Sequence, residues 1–258
     1  MKIALALEKN TQENANTYFE RAKKAKKKIQ GAKDAILRAQ MDHAKANEHA
    51  QHEQEQAKLL TRPQKWYHKY RWCITQEGNL IVGGQNASAN ETLIKHHTDP
   101  TDTVFHTDMA GSPFFILKTK QPTKQELSEA AQLTAAYSRA WKQQIAGIEV
   151  FYVKPEQVTK EAQSGEYLPK GAFMIRGETT YVQAKVELYI GLHKEEGYIP
   201  EIRVGTKETV EHWCERALRI LPGKKKTSEI GKQLIKTLRG GTVDSYNKVI
   251  PAGGSTIE

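Results

Sequence analysis

The segment VFHTDMAGSPFFILK, residues 104–118, sets His106, Asp108 and Ser112 between two apolar runs, with Gly111 directly before the serine. These residue types could do two kinds of chemistry. His106 and Asp108 are two apart, would share one face of a strand, and could supply two metal ligands. A metal needs further ligands, and only His96 and His97 stand nearby, at no fixed spacing from the pair. Ser112 could act as a nucleophile, but it lacks the G-x-S-x-G elbow, and Pro113 follows where a helix should begin. Gly83-Gly84 has neither the further glycines of a dinucleotide site nor the Lys-Ser/Thr of a phosphate loop. No catalytic residue, metal ligand or cofactor is therefore assigned, and the chain is read as a non-enzyme. The role left is binding. His106 and Asp108, bonded to each other at a strand end, would brace a turn that offers Gly111 and Ser112 to a phosphate.

The composition points to a polyanionic partner. Lysine and arginine number 39 against 30 acids in 258 residues, a net charge of +9, which favours nucleic acid. Cys73 and Cys214 belong to no CxxC or Cys/His cluster, so neither a disulfide framework nor structural zinc is expected. There is no run of 18 apolar residues, and the apolar stretch in MKIALALEKN is too short for a signal peptide. A cytoplasmic protein without membrane contact is expected.

Positioning falls to two kinds of element. Residues 11–60 hold no proline and one glycine, Gly31. Ala15, Tyr18, Ala22, Ala25, Ile29, Ala32, Ile36 and Ala39, then Ala46, Ala50, Ala57 and Leu60, follow a heptad seam broken only by His43 and Glu53. Thr11, with Glu13 and Asn14 after it, marks the start of a helix about 75 Å long. A seam this rich in alanine leaves its stripe in water unless a second helix covers it. No second long heptad follows, so an antiparallel partner helix from a preceding segment or another chain is expected. Between Arg21 and Arg38 this helix carries Lys23, Lys24, Lys26, Lys27, Lys28 and Lys33 against one acid, Asp34, a surface suited to phosphates.

After Thr61-Arg62-Pro63 comes KWYHKYRWCIT, where Trp66, Tyr67, Tyr70 and Trp72 alternate with Lys65, His68, Lys69 and Arg71. Aromatics could stack on bases and cations meet phosphates, though about half of these rings should plug the core. Strands are expected at 79–84, 103–109, 113–120, 148–153, 171–182 (a pair around Arg176-Gly177) and 186–192. A helix is expected at 123–144, opened by a Thr123/Glu126 capping box. A β-α-β-α run follows residue 200, and the glycine-rich end reads as loose. The fold class is α+β: a long N-terminal coiled-coil helix, then a mixed α/β domain with a small β-α-β-α extension.

These blocks resemble the NFACT-R domain, the RNA-binding module of the NFACT proteins of ribosome-associated quality control, in their archaeal type. KWYHKYRWCITQEGNLIVGGQNASANETLIKHH is similar to the domain's opening. VFHTDMAGSPFFILK resembles its His-Ala-Asp-x-x-Gly segment, with Thr107 in place of the alanine. SEAAQLTAAYSRAWKQ and the stretch with Gly165-Glu166-Tyr167-Leu168 and Phe173-Met174-Ile175-Arg176-Gly177 are similar too. The helix at the start resembles the returning strand of the family's coiled-coil middle region. The resemblance implies a coiled-coil segment 1–64, a domain core 65–200, an extension 201–240 and a flexible tail 241–258. It implies binding of large-subunit ribosomal RNA and tRNA in support of alanine tailing of stalled nascent chains, with peptide-bond chemistry left to the ribosome. It also implies an upstream NFACT-N and coiled-coil portion as partner. RNA-binding residues are expected at Lys23, Lys24, Lys26, Lys27, Lys28, Lys65, His68, Lys69, Arg71, His106, Asp108, Gly111, Ser112, Arg176 and Lys185. The competing readings are a coiled-coil scaffold that docks a protein and a general nucleic-acid-binding module.

Overall fold

A computed structural model of the chain describes residues 3–57, 59–161 and 168–258, and in the long helix it describes side chains as far as residue 44. The chain divides into two compact units, one ending at Leu59 and one running Leu60–Glu258.

The first unit is built on α1 (Thr11–Ala57), 47 residues long. The residue that starts it is Asn10, one before the expected Thr11. Its side chain accepts the Glu13 N–H at 2.8 Å, and the Glu13 carboxylate accepts the Asn10 N–H at 3.0 Å, so two free donors are satisfied reciprocally. Asn14 is buried and folds residues 6–10 over the first turn, accepting the Ala6 N–H at 2.9 Å and donating to the Lys9 carbonyl at 3.0 Å. The seam is exposed where described: Tyr18 at 37%, Ile29 at 58% and Ile36 at 59%. Its positions Ala46, Ala50, Glu53 and Ala57 lie outside the described side chains, as Gly165, Glu166 and Tyr167 lie outside the described residues.

The second unit opens with a 3-10 turn, Trp66–Lys69, followed by β1 (Arg71–Ile74), β2 (Leu80–Gly83), α2 (Ala87–His96), β3 (Thr103–His106) and β4 (Phe115–Lys118). Next come α3 (Lys124–Ala136), β5 (Gly147–Val153), β6 (Val158–Thr159), β7 (Met174–Ile175) and β8 (Thr180–Lys185). The remainder is β9 (Leu188–His193), β10 (Glu201–Gly205), α4 (Lys207–Trp213), β11 (Leu218–Lys225), α5 (Thr227–Leu238), α6 (Val243–Val249) and β12 (Ser255–Ile257). An antiparallel six-stranded sheet takes the order β1-β2-β4-β3-β5-β8, and a four-stranded one the order β10-β9-β11-β12. The larger sheet is buried on both faces. Phe105, Phe115 and Leu117 join α3 and the smaller sheet in one core, while Val104, Ile116 and Val153 join Leu93 of α2 in another. This is why β3 and β4 read as unbroken apolar runs rather than alternating ones.

Four expectations are corrected. The helix read over 123–144 starts at the expected capping box but stops at Ala136. Ser138 donates to the Ala135 carbonyl at 2.7 Å and accepts the Ala140 N–H at 3.1 Å, offering the backbone a turn in place of the helix. Strands β7 and β8 do not pair with each other: β7 pairs with β6 and β8 with β5. The boundary at residue 200 falls inside a sheet, because β10 and β11 both flank β9. The tail 241–258, read as flexible, forms α6 and β12, with Tyr246 and Ser255 fully buried.

Candidate nucleic-acid interface

Two concavities of the second unit share a ridge made by Arg71, Gln85 and Tyr137. Arg71 leaves β1 and is fixed twice: its guanidinium donates to the Gly84 carbonyl at 2.7 Å and stands 4.6 Å from the centre of the Tyr137 ring. Tyr137 caps α3 and donates from its hydroxyl to the Val249 carbonyl at 2.5 Å. Burial lowers the Arg71 pKa and raises that of Tyr137, but an arginine stays charged in any protein setting. Gly84 is glycine for a steric reason, since a Cβ there would lie 1.9 Å from the Asn90 side-chain oxygen under α2.

On one side of the ridge lies a cleft of about 620 Å³. Arg71, Arg139, Lys142 and Lys170 line it together with His106, Gly111 and the first residues of α2. Among the described residues no Asp or Glu lines it. Among the described residues none of these four cations makes an ion pair. Concave walls with cations of one sign and no counter-charge focus a positive potential outward.

His106 forms the floor rather than a ligand. Its Nε2–H donates to the Ser112 carbonyl at 3.0 Å and its ring stacks on Phe114 at 4.2 Å. Burial lowers its pKa, and the bond to the Ser112 carbonyl opposes that shift without overcoming it. The expected His106–Asp108 bond is absent: β3 ends at His106, so the two share no strand face, and Asp108 is approached instead by the Tyr181 hydroxyl at 3.4 Å. Ser112 does not offer itself to a phosphate either. It is buried, its N–H is taken by the Met109 carbonyl at 3.2 Å, and its hydroxyl lies 2.6 Å from that of Thr107. Gly111, at φ +83, remains exposed at the rim beside Arg139. Among the described residues there is no group of three His, Cys, Asp or Glu that could hold a metal.

The other concavity is a slot of about 330 Å³. Tyr70, Trp72, Ile199, Ile202, Val204 and Val249 give it apolar walls, and Thr242, Ser245 and Lys248 of the C-terminal segment stand at its polar side; among the described residues no acid lines it.

A family model described as the NFACT protein RNA binding domain matches residues 69–177. This is an NFACT-family chain with an NFACT-R domain. The archaeal Rqc2 homolog aRqcH of Methanocaldococcus jannaschii is 35% identical over 205 residues, covering 78% of this chain and 30% of its own. The human ribosome quality control complex subunit NEMF is 31% identical over 174 residues, 66% of this chain and 16% of its own. Ribosome quality control complex subunit 2 of Schizosaccharomyces pombe is 33% identical over 132 residues, 50% of this chain and 13% of its own. The chain thus spans less than a third of each relative's length.

The NFACT-R span contributes Arg71, Gln85, His106, Arg139, Lys142 and Lys170, whereas Thr242, Ser245 and Lys248 lie outside it. Of the residues expected from sequence, only Arg71, His106, Gly111 and Ser112 come together in the cleft, and His68 lines the slot. Lys65 precedes the 3-10 turn and Lys69 ends it, held over the rings of Tyr67 and Tyr70 at 5.8 and 5.3 Å. Of the four aromatics there, Tyr67 and Tyr70 are core, while Trp66 stacks on His97 at 4.3 Å. Lys185 sits on the opposite sheet edge from Arg71, with four strands between them, about 24 Å away. Arg176 pairs with Glu161 at 3.2 Å. Lys23–Lys28 belong to the other unit, exposed on α1. Arg139, Lys142 and Lys170 were missed from the sequence. The first two stood inside what reads as a continuing helix, and Lys170 is a lone lysine beside Gly171.

Proposed function

We propose that this chain is the RNA-binding part of a ribosome-associated quality-control factor, and that the cleft between β1, α2 and the turn after α3 is where RNA phosphates bind. The observation that supports it is a cleft lined by four cations that, among the described residues, meet no carboxylate there and make no ion pair. Both units would then face polyanion, the lysines of α1 adding a second, looser contact. The names of the relatives favour the ribosome as the setting, and the family match favours RNA. In that reading the partners are large-subunit ribosomal RNA and tRNA, the place is the cytoplasm, and this chain performs no bond chemistry itself while it supports alanine tailing. The exposed seam of Tyr18, Ile29 and Ile36 supports a coiled coil completed by an antiparallel helix from an upstream segment or another chain.

A salt titration of binding to tRNA and to large ribosomal subunits tests this. Each phosphate neutralised contributes close to one unit to the slope of log K against log salt, so a steep negative slope is expected. A flat slope, or no binding at low salt, overturns the reading.

A further inference from the structure

Resting on that RNA reading, we propose that the ligand is single-stranded RNA, seated with its phosphates in the basic cleft and a base in the apolar slot, its backbone crossing the ridge of Arg71 and Tyr137. The two concavities differ in kind but share three residues, Arg71, Gln85 and Tyr137, so one ligand can occupy both. The cleft offers Arg139, Lys142 and Lys170 to phosphates. The slot offers the partly exposed Trp72 and Ile202 to a flat apolar face over a floor that includes Tyr70 and Val204, and Gln85 and Lys248 line its polar side. Among the described residues neither is lined by a carboxylate that would repel the strand.

A duplex does not match this shape. An A-form helix keeps its bases paired and shows proteins a shallow minor groove and phosphate ridges, which suits a broad surface. A slot of about 330 Å³ beside a phosphate track is of use only to a strand that can turn a base out. The slot also explains why the C-terminal segment is packed rather than loose. Tyr137 holds Val249, and the indole N–H of the buried Trp141 donates to the Gly254 carbonyl at 3.1 Å, so the α6 wall is tied from beneath.

The test uses the full chain and fluorescence anisotropy at one fixed salt concentration. One probe is a short labelled uridine oligomer, the other a blunt-ended RNA duplex of equal nucleotide count. Stacking one base is worth enough to favour the oligomer by about tenfold. Lys248→Glu, at an exposed slot position, should weaken the oligomer several-fold and leave the duplex unchanged, whereas Arg139→Glu should weaken both. Equal or tighter duplex binding overturns the single-strand proposal, as does a Lys248→Glu effect that is absent or the same for both probes. In those cases loss of binding in Arg139→Glu keeps the RNA reading itself standing. If Arg139→Glu leaves both affinities unchanged, or if neither probe binds, the RNA reading of the cleft fails and this proposal with it.

Discussion

The lysine run of α1 and the cleft of the second unit are both basic, and they become so in opposite ways. On α1 five lysines lie within six residues, all in water, on a helix that a single turn signal suffices to start. In the cleft the cations come from β1, from the turn after α3 and from the segment after residue 168, brought together only by the fold. The first concentrates charge along the sequence, where water and salt screen it within about 10 Å. The second concentrates charge in space against low-dielectric walls, where screening is weaker. A basic sequence run therefore marks where charge is dense, while a binding site is marked by where opposing charge has been left out.

The strongest way to break the comparison is to remove the cleft's support and leave α1 alone. Trp141→Ala empties a fully buried site and should cost about 3–5 kcal/mol. Thermal melting should show the second unit unfolding earlier, with RNA affinity lost alongside it. If affinity persists in the destabilised chain, α1 is the binding region.

A pH scan separates the units next. Glu129 on α3 is 1% exposed, and burial pushes its pKa from 4.5 to about 7. Its folded pKa is raised, so its contribution is fully present below pH 4.5 and is lost as pH rises through 7. Glu129→Gln should therefore gain stability relative to the parent between pH 5 and pH 8, by up to about 3 kcal/mol. Calorimetry of both proteins at the two values checks this, and equal pH dependence contradicts it.

Reversing charge inside the cleft should come third. Arg139→Glu with Lys142→Glu replaces two attractions by two repulsions in the cleft, and a loss of about a hundredfold in RNA affinity is expected at moderate salt. Both side chains are exposed, so the melting temperature should not change. The smallest effect is assigned to α1. Replacing Lys23, Lys24, Lys26, Lys27 and Lys28 by glutamine should reduce affinity only a few-fold at physiological salt and flatten the salt slope. A larger loss here than in the cleft would reverse the ranking.

Local signals carried through where they specify a backbone group. The Thr123/Glu126 box starts α3 as read, and Glu126 shows how strongly it is built in. Burial would raise its pKa, but hydrogen bonds from Thr123, Asn79 and Thr75 outweigh that and hold the carboxylate below its usual value. The β3–β4 hairpin and the long α1 were legible for the same reason. What was not legible depended on partners distant in sequence. Glycine near residues 253–254 reads as slack, yet a Cβ on Gly254 would lie 2.1 Å from the Gly223 carbonyl, so the glycine permits close packing of β12. The His106, Asp108 and Ser112 types suggested chemistry, while their bonds show a braced floor. The cations of the cleft, Arg139, Lys142 and Lys170, follow no spacing rule, because the first two come from the turn after α3 and the third from a separate segment after residue 168.

The ties beneath the ridge have a kinetic consequence. Tyr137 meets Val249 across 112 residues and Trp141 meets Gly254 across 113, so the slot closes through loops that span nearly half the chain. Closing such loops is slow compared with winding a helix. During refolding α1 should be complete while the slot is still open. Single-strand binding, followed in time after dilution from denaturant, would then report the last step of folding and not its average.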